Sequence, residues 1–409
     1  MRNYALVTGA YWAQTITDGA LRMLVLFYFT QLGYSPFEVA ALFLFYEAFG
    51  IVTNLVGGWL AARFGLRSTL TAGLTVQLVA LGMLALVPAT VLSVAYVMVA
   101  QALSGIAKDL TKMSSKSAVK LVVSAEEPGA LYRWVTILTG SKNALKGVGF
   151  FLGAAGLTVL GFRTSLGILA VLIVTALIVV LTMMRGELGR PDATAKFRHM
   201  FSNNRAVNVL AAARISLFAS RDVWFVVGLP VFFHDELGWG FYLAGGFLAV
   251  WTIGYGLVQA SAPRLLRRRA RPGTDPDGTT AARLAFVLAG LPALIALGLS
   301  TDTDPTVAVV GGLLVFGVVF AMNSAVHSFL ILDYADGDKV AMNVGFYYMA
   351  NAFGRLTGTV LSGALYQWQG LEACLWVSAG LVLTAALLSL MLPSRTGRGA
   401  ARTPLPAGV

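Results

Sequence analysis

Several basic side chains stand inside long apolar stretches of the sequence. They are Arg22, Lys108, Lys142, Lys146, Arg214, Arg221 and Arg355. The acids in such stretches are Asp18, Glu47, Asp109 and Asp222. A charge that faces lipid costs at least ~2.5 kcal/mol on insertion scales, so these groups should face a partner or a water-filled cleft. Because seven cations cannot all be neutralised by four acids, the sequence predicts a cleft that attracts an anion.

The spacing of these cations places them on shared helix faces. Lys108 and Lys112 are four residues apart, as are Lys142 and Lys146, and Arg214 lies two turns before Arg221. An arginine from each half of the chain would form a fork on a phosphate-like oxyanion. The predicted substrate-binding residues are Arg22, Lys108, Lys112, Lys142, Asn143, Lys146, Arg214, Arg221, Tyr347, Asn351 and Arg355.

Simpler interpretations compete at some positions. Asp18 and Arg22 are four residues apart and would form an ion pair along one helix. Lys108 and Lys112 lie near a span end, where long side chains reach the headgroups. Tyr347 and Asn351 would either hydrogen-bond a substrate or only pack. The acids Asp18, Glu47, Asp109 and Asp222 are predicted to serve proton coupling or gating.

Other chemistry is poorly supported. His199, His234 and His327 are far apart in sequence and Cys374 is the single cysteine, so neither a metal cluster nor an internal disulfide is expected. The Gly147-Val148-Gly149 and Gly153 pattern lies within an apolar span and indicates helix packing rather than a dinucleotide site. We therefore expect no metal, no cofactor and no enzymatic activity.

The elements that must position these residues are membrane helices. Hydrophobic residues make up 57% of the 409 residues, charged residues 12%, and the mean hydropathy is +0.75. A soluble chain of this composition could not cover its surface. Twelve apolar runs are each long enough to cross a bilayer as helix. They lie near 4–30, 38–62, 69–88, 91–111, 131–160, 164–184, 205–233, 240–263, 283–300, 305–331, 340–367 and 371–392.

The basic residues outside the spans indicate the orientation. We assign 22 Lys and Arg to one side of the membrane and only Arg163 to the other. This bias predicts a multi-pass inner-membrane protein with both termini in the cytoplasm. It also accounts for the net charge of +11, so the run Arg267-Arg268-Arg269 is interpreted as a membrane-edge anchor rather than a nucleic-acid patch.

The spans divide into two related halves. The polar stretch 186–204 separates a six-helix bundle at 1–185 from a second at 205–393, and 394–409 forms a cytoplasmic tail. At an offset of 205 residues, Gly149 and Gly153 match Gly354 and Gly358, and both pairs are small-residue packing motifs. Twelve helices in two pseudo-symmetric bundles are the organisation of secondary transporters.

Two features carry a family resemblance. The segment Gly58–Arg67 is similar to the major facilitator signature G-x-x-x-D-R-x-G-[RK]-[RK], although Ala62 and Leu66 depart from it. Longer segments resemble the organoarsenical efflux permease (ArsJ) family of that superfamily, over about 4–392. These segments are Thr17–Leu24, Tyr46–Leu60, Ala102–Leu121, Leu131–Gly153, Arg221–Phe232 and Ile253–Leu265.

The resemblance implies a substrate and a functional partner. In that family a glyceraldehyde-3-phosphate dehydrogenase uses arsenate in place of phosphate, and the permease exports the product, 1-arseno-3-phosphoglycerate, which gives arsenate resistance. The residues themselves imply only an anion, so a transporter of a sugar phosphate or a carboxylate is the alternative. A membrane enzyme or receptor is a second alternative, for which the sequence shows no catalytic constellation. Proton antiport, phosphate exchange and facilitated diffusion all remain possible driving modes.

Overall fold

A computed structural model describes residues 2–122, 130–184, 204–269, 276–334 and 340–394. Their regular structure is entirely helical, which confirms the all-α membrane fold. The first helices are α1 (Arg2–Gln31), α2 (Pro36–Ala41), α3 (Leu44–Phe64), α4 (Leu66–Leu86), α5 (Val94–Val122), α6 (Ala130–Leu160) and α7 (Phe162–Met183). The others are α8 (Arg205–Phe225), α9 (Gly228–Asp235), α10 (Phe241–Arg269), α11 (Gly278–Leu299), α12 (Gly312–Tyr334) and α13 (Val340–Leu390).

Nine helical segments in the described part of the chain are long and apolar enough to cross a membrane. The helices α1 and α5 are not among them, although their 30 and 29 residues would extend about 45 Å. Both carry buried polar and charged side chains that lower their hydropathy. The last segment is interrupted by non-helical backbone at Gln369 and Gly370, where the sequence predicted a boundary between two spans. The number twelve stays a prediction.

Three predicted spans have different boundaries in the structure. The run 38–62 is broken after α2, and the run 205–233 is broken at Val226 and Val227. Pro36 at the first turn of α2 and a capping box between Ser35 and Glu38 start that short helix. The predicted end at 111 was wrong, because α5 continues to Val122 through polar residues that contain no helix breaker.

Small residues bring the helices close together, as the sequence predicted. Gly149 and Gly153 of α6 face the backbone of α1 at Ile16 and Ala20, so that a β-carbon at either position would collide with it. Gly354 and Gly358 of α13 meet α8 in the same manner. The two glycine pairs therefore make equivalent helix contacts, one pair before and one pair after the polar stretch 186–204.

Other contacts join the two parts of the chain that precede and follow the polar stretch 186–204. A β-carbon on Gly147 would lie 2.7 Å from Ile253 of α10, and one on Gly363 would lie 2.7 Å from the Pro36 carbonyl oxygen. The Phe37 amide also donates to Gln367 Oε1 at 3.2 Å. Most of 186–204 and of 394–409, and the side chains of Arg267–Arg269, lie outside the described residues, so the proposed domain boundaries stay predictions.

A cation-lined cavity as the candidate functional site

A cavity of about 170 Å³ lies among α1, α6, α8, α10, α12 and α13. Eight of the eleven predicted substrate-binding residues line it: Arg22, Lys142, Asn143, Lys146, Arg214, Arg221, Asn351 and Arg355. Residues from helices that are more than 300 positions apart in sequence are therefore gathered around one space. A larger hollow of about 510 Å³ at the Gly33–Pro36 turn has no Lys or Arg among its described lining residues, so the smaller cavity is the candidate anion site.

The structure places the other three predicted residues outside the cavity lining. Lys108 lies over the ring of Tyr46, with its Nζ 3.9 Å from the ring centroid. Lys112 is buried and donates to Asp109 Oδ1 at 2.6 Å, so it does not reach the headgroups as one interpretation proposed. Tyr347 is buried beneath Arg214, and its neighbour Tyr348 lines the cavity instead. Adjacent residues of a helix point about 100° apart, which explains why Tyr348 lines the cavity while Tyr347 does not.

A chain of ion pairs runs across the cavity between helices from both parts of the protein. Glu47 of α3 contacts Arg22 of α1 at 3.4 Å and also bonds to Arg355 of α13. Arg355 Nε lies 3.5 Å from Asp222 of α8. Asp222 in turn accepts a hydrogen bond of 2.6 Å from Arg221 Nε. Both acids are only 1% exposed, so this charge network lies in the protein interior.

Asp18 and Lys146 form a neighbouring pair. Asp18 accepts a hydrogen bond from the Tyr46 hydroxyl, and its other oxygen lies 3.7 Å from Lys146 Nζ. The proposed pair between Asp18 and Arg22 within α1 is therefore wrong for the described structure, which gives Arg22 the carboxylate of Glu47 instead. Buried carboxylates on two other helices offer better geometry than a neighbour one turn away.

Asp109 belongs to a separate cluster between α3 and α5. Thr53 Oγ1 donates to Asp109 Oδ2 at 2.8 Å, and Lys112 bonds to both Asp109 and Asn54. This cluster lies behind the cavity and is internally neutralised. Asp109 is thus brought together with Lys112 but is not brought to the predicted substrate site.

Arg214 is held differently from the other lining arginines. Its Nε donates to Asn351 Oδ1 at 3.0 Å, and its Nη1 donates to Ser324 Oγ at 3.1 Å and to the Ser324 carbonyl at 3.3 Å. No carboxylate of the described chain forms an ion pair with it. Its guanidinium carbon lies 3.9 Å from the ring centroid of Phe218 and 5.0 Å from that of Tyr347.

The cavity carries a surplus of positive charge. Among the residues that the structure describes, six lining cations face three acids, of which Asp222 lines the cavity while Asp18 and Glu47 lie behind the cations. The formal surplus is therefore three charges. In a space shielded from bulk water such a surplus attracts an anion more strongly than it would on a surface.

Sequence reasoning predicted Asn143 and Asn351 but missed other neutral polar residues of the lining. Tyr255 and Gln259 of α10 and Ser328 of α12 line the cavity, and Ser324 lies immediately behind them. Gln259 also accepts a hydrogen bond of 3.0 Å from Asn143 of α6. The available signal was the spacing of Tyr255 and Gln259, which places two polar residues on one face of an apolar helix.

Comparisons with known proteins agree with this architecture. The family model described as Major Facilitator Superfamily matches residues 7–329. A POT family transporter in complex with a thioalcohol-conjugated peptide superposes with a TM-score of 0.77 at 13% identity, over 95% of this chain and 96% of that one. The nucleoside transporter NupG superposes with a TM-score of 0.71 at 15% identity, over 95% and 99%. At such identities the structures show a shared fold only. No curated protein matches the chain.

Proposed function

Because the chain belongs to the major facilitator superfamily, and so is a multi-pass membrane transporter of a small solute, we propose that it exports an organic oxyanion from the cytoplasm. The solute binds in the cation-lined cavity and is released by alternating access, in which the two sides of the transporter rock about the site. We place the protein in the inner membrane with both termini in the cytoplasm.

The observation that carries this proposal is the surplus of cations around the cavity. Removing one partner from a buried ion pair costs about 3–5 kcal/mol because it leaves an uncompensated charge. Arg214 bonds only to neutral groups among the described residues and would bear a cost of this kind unless an anion compensates it. A solute with two oxyanion groups would compensate most of the surplus.

The finer proposal is that the solute is 1-arseno-3-phosphoglycerate. It is supported by the resemblance to the organoarsenical efflux permeases and by the distribution of the cations, which come from α1, α6, α8 and α13. The solute would be supplied by a glyceraldehyde-3-phosphate dehydrogenase that accepts arsenate. Its removal from the cell would give arsenate resistance.

The charge network also suggests how binding biases the conformation. Glu47 and Asp222 hold Arg22, Arg221 and Arg355. An entering oxyanion competes with these carboxylates for the same guanidinium groups and so supplies the differential contacts that a change of state requires. Export of an anion from a negative interior is itself favoured, by about 2.3 kcal/mol per charge at 100 mV. Proton coupling through Asp18, Glu47 or Asp222 would add to this gradient.

Transport into inverted membrane vesicles tests the proposal. The dehydrogenase, glyceraldehyde 3-phosphate, NAD+ as the hydride acceptor, and arsenate generate the arseno compound outside the vesicle. Uptake of arsenic is measured against uptake of glycerol phosphate and lactate. We expect uptake of the arseno compound and little uptake of the others. Equal uptake of ordinary phosphate esters would reject the arsenical in favour of a general organic-anion carrier, and no uptake of any anion would reject the whole proposal.

Two substitutions connect transport to the cavity. Lys146→Ala and Arg221→Ala should each abolish arsenate resistance in cells while expression is retained. Arg163→Ala is the matched control, because it removes one cation from an exposed site whose side chain donates to the Val87 carbonyl. Full resistance in both cavity variants would remove these residues from the proposed site.

A further inference from the structure

The lining arginines differ in whether they already have an anionic partner. Arg22, Arg221 and Arg355 each contact a carboxylate of the protein. Arg214, which is 5% exposed, bonds only to neutral oxygens among the described residues. Binding of a solute anion to Arg214 therefore breaks no existing ion pair, whereas binding to the other three must displace Glu47 or Asp222.

The guanidinium of Arg214 is also fixed in orientation. Phe218 and Tyr347 lie close to it with their rings, and hydrogen bonds to Asn351 and Ser324 occupy its Nε and Nη1. Its Nη2 has no hydrogen-bond partner within the described structure. A group that is held in this way loses little conformational freedom on binding, which favours affinity.

Hydrogen-bond donors are in excess beside Arg214. Ser324 Oγ accepts hydrogen bonds from Arg214 Nη1 at 3.1 Å, from the Tyr255 hydroxyl at 3.2 Å and from Gln259 Nε2 at 3.4 Å. A hydroxyl oxygen has two lone pairs and accepts at most two hydrogen bonds, so one of the three donors is left over. If Ser324 instead donates its own hydrogen to Tyr255, the hydrogen of the tyrosine hydroxyl is the one left over. The wall of the cavity thus offers donors that a ligand oxygen would satisfy better than Ser324 does.

Resting on the proposed function, we propose that Arg214, Tyr255 and Gln259 form the anchoring subsite for one tetrahedral oxyanion of the solute, a phosphoryl or arsenyl group. A flat carboxylate binds best to two parallel N–H groups of a guanidinium, and the bonds to Asn351 and Ser324 already occupy two of these nitrogens. A tetrahedral group instead accepts single hydrogen bonds from several directions, as donors on α8 and α10 provide.

The position of this subsite along α8 fits a solute with two charged ends. Arg221 lies seven residues after Arg214, which is about 10 Å along the helix axis. An oxyanion anchored at Arg214 would therefore direct the other end of the solute towards Arg221 and Arg355. The solute would thus contact Arg214 first, and only then displace Asp222 and Glu47 from Arg221 and Arg355.

Asn351→Asp is the decisive variant, because it adds a carboxylate of nearly the same size where Arg214 Nε already bonds at 3.0 Å. Binding is measured in detergent as the rise in melting temperature with 3-phosphoglycerate, inorganic phosphate or lactate. In the wild type we expect both phosphoryl compounds to stabilise more than lactate. In Asn351→Asp we expect at least a tenfold loss of affinity for them.

Gln367→Glu is the control, since it makes the same change from amide to carboxylate at an exposed side chain, where either residue accepts from the Phe37 amide. Should Asn351→Asp fail to fold, Tyr255→Phe combined with Gln259→Leu tests the same subsite and should abolish the preference for phosphoryl over carboxylate. Unchanged phosphoryl affinity in Asn351→Asp, or an unchanged preference in the double variant, would overturn the subsite. Failure of the wild type to bind any anion would instead overturn the proposed function.

Discussion

The bond between Glu47 and Arg355 joins α3 to α13 and offers a quantitative test of the charge network. Glu47→Gln removes the carboxylate that Arg22 and Arg355 share, while Arg355→Gln leaves Glu47 with Arg22 and Asp222 with Arg221. Glu47→Gln leaves Arg22 without the carboxylate that it contacts in the described structure, so it should lower the free energy of unfolding by about 3–5 kcal/mol. Arg355→Gln leaves both carboxylates with an arginine partner, so its cost should be smaller.

The double variant separates the pair from its surroundings. Each single variant loses the attraction between Glu47 and Arg355, whereas the variant with glutamine at both positions loses that same attraction only once. The double variant should therefore be more stable than the sum of the single effects by about 0.5–3 kcal/mol, the range for residues in one network.

Denaturant or thermal unfolding of the purified protein in detergent, followed by tryptophan fluorescence, measures the three variants. Arg163→Gln is the control, because its side chain is exposed and bonds to a backbone carbonyl, and it should change the stability by no more than about 0.5 kcal/mol. Strict additivity of the Glu47 and Arg355 effects would refute the bridge between α3 and α13.

Two further predictions concern packing and the cluster behind the cavity. Gly153→Val should destabilise the protein by about 1–3 kcal/mol, because the added side chain meets the backbone of α1 at Ala20, whereas Gly167→Ala, with open space at its β-carbon, should not; melting curves compare the two. Asp109→Asn should reduce the yield of folded protein by removing the carboxylate that Lys112 contacts at 2.6 Å, and adding Lys112→Met should restore it, as size-exclusion chromatography would show.

The sequence predicted the fold because its strongest signal is also its strongest physical constraint. Apolar runs of bilayer length must be helical, and the glycine pairs at 149/153 and 354/358 predicted close helix contacts that the structure confirms. The helix breaks were not predicted. The break at Val226 and Val227 did have a local signal, because Gly228 follows directly and Pro230 has no amide hydrogen to bond to the Val226 carbonyl. Ser362 on α13 accepts hydrogen bonds from the Val227 and Gly228 amides that the break releases.

The sequence predicted the cations that line the cavity, but it did not predict which carboxylate pairs with which cation. A charge inside an apolar span must face the interior, so most of the predicted residues line one space. Which acid meets which base depends on the distance between helices, and this is why the sequence offered Asp18 as an alternative partner of Arg22 and did not indicate Glu47. The neutral residue Gln259 was missed because an amide in a span costs less than a charge and so gives a weaker signal.

The interruption between α8 and α9 has a mechanical consequence. The helix that holds Arg214 and Arg221 ends at Phe225, and α9 begins at Gly228, where the hydroxyl of Ser362 accepts from the Val227 and Gly228 amides. Tilting of α9 would break those two amide bonds and move its buried apolar side chains within the core, while the charged part of α8 keeps its own hydrogen bonds. The pivot of such a motion lies at Val226, which lines the cavity.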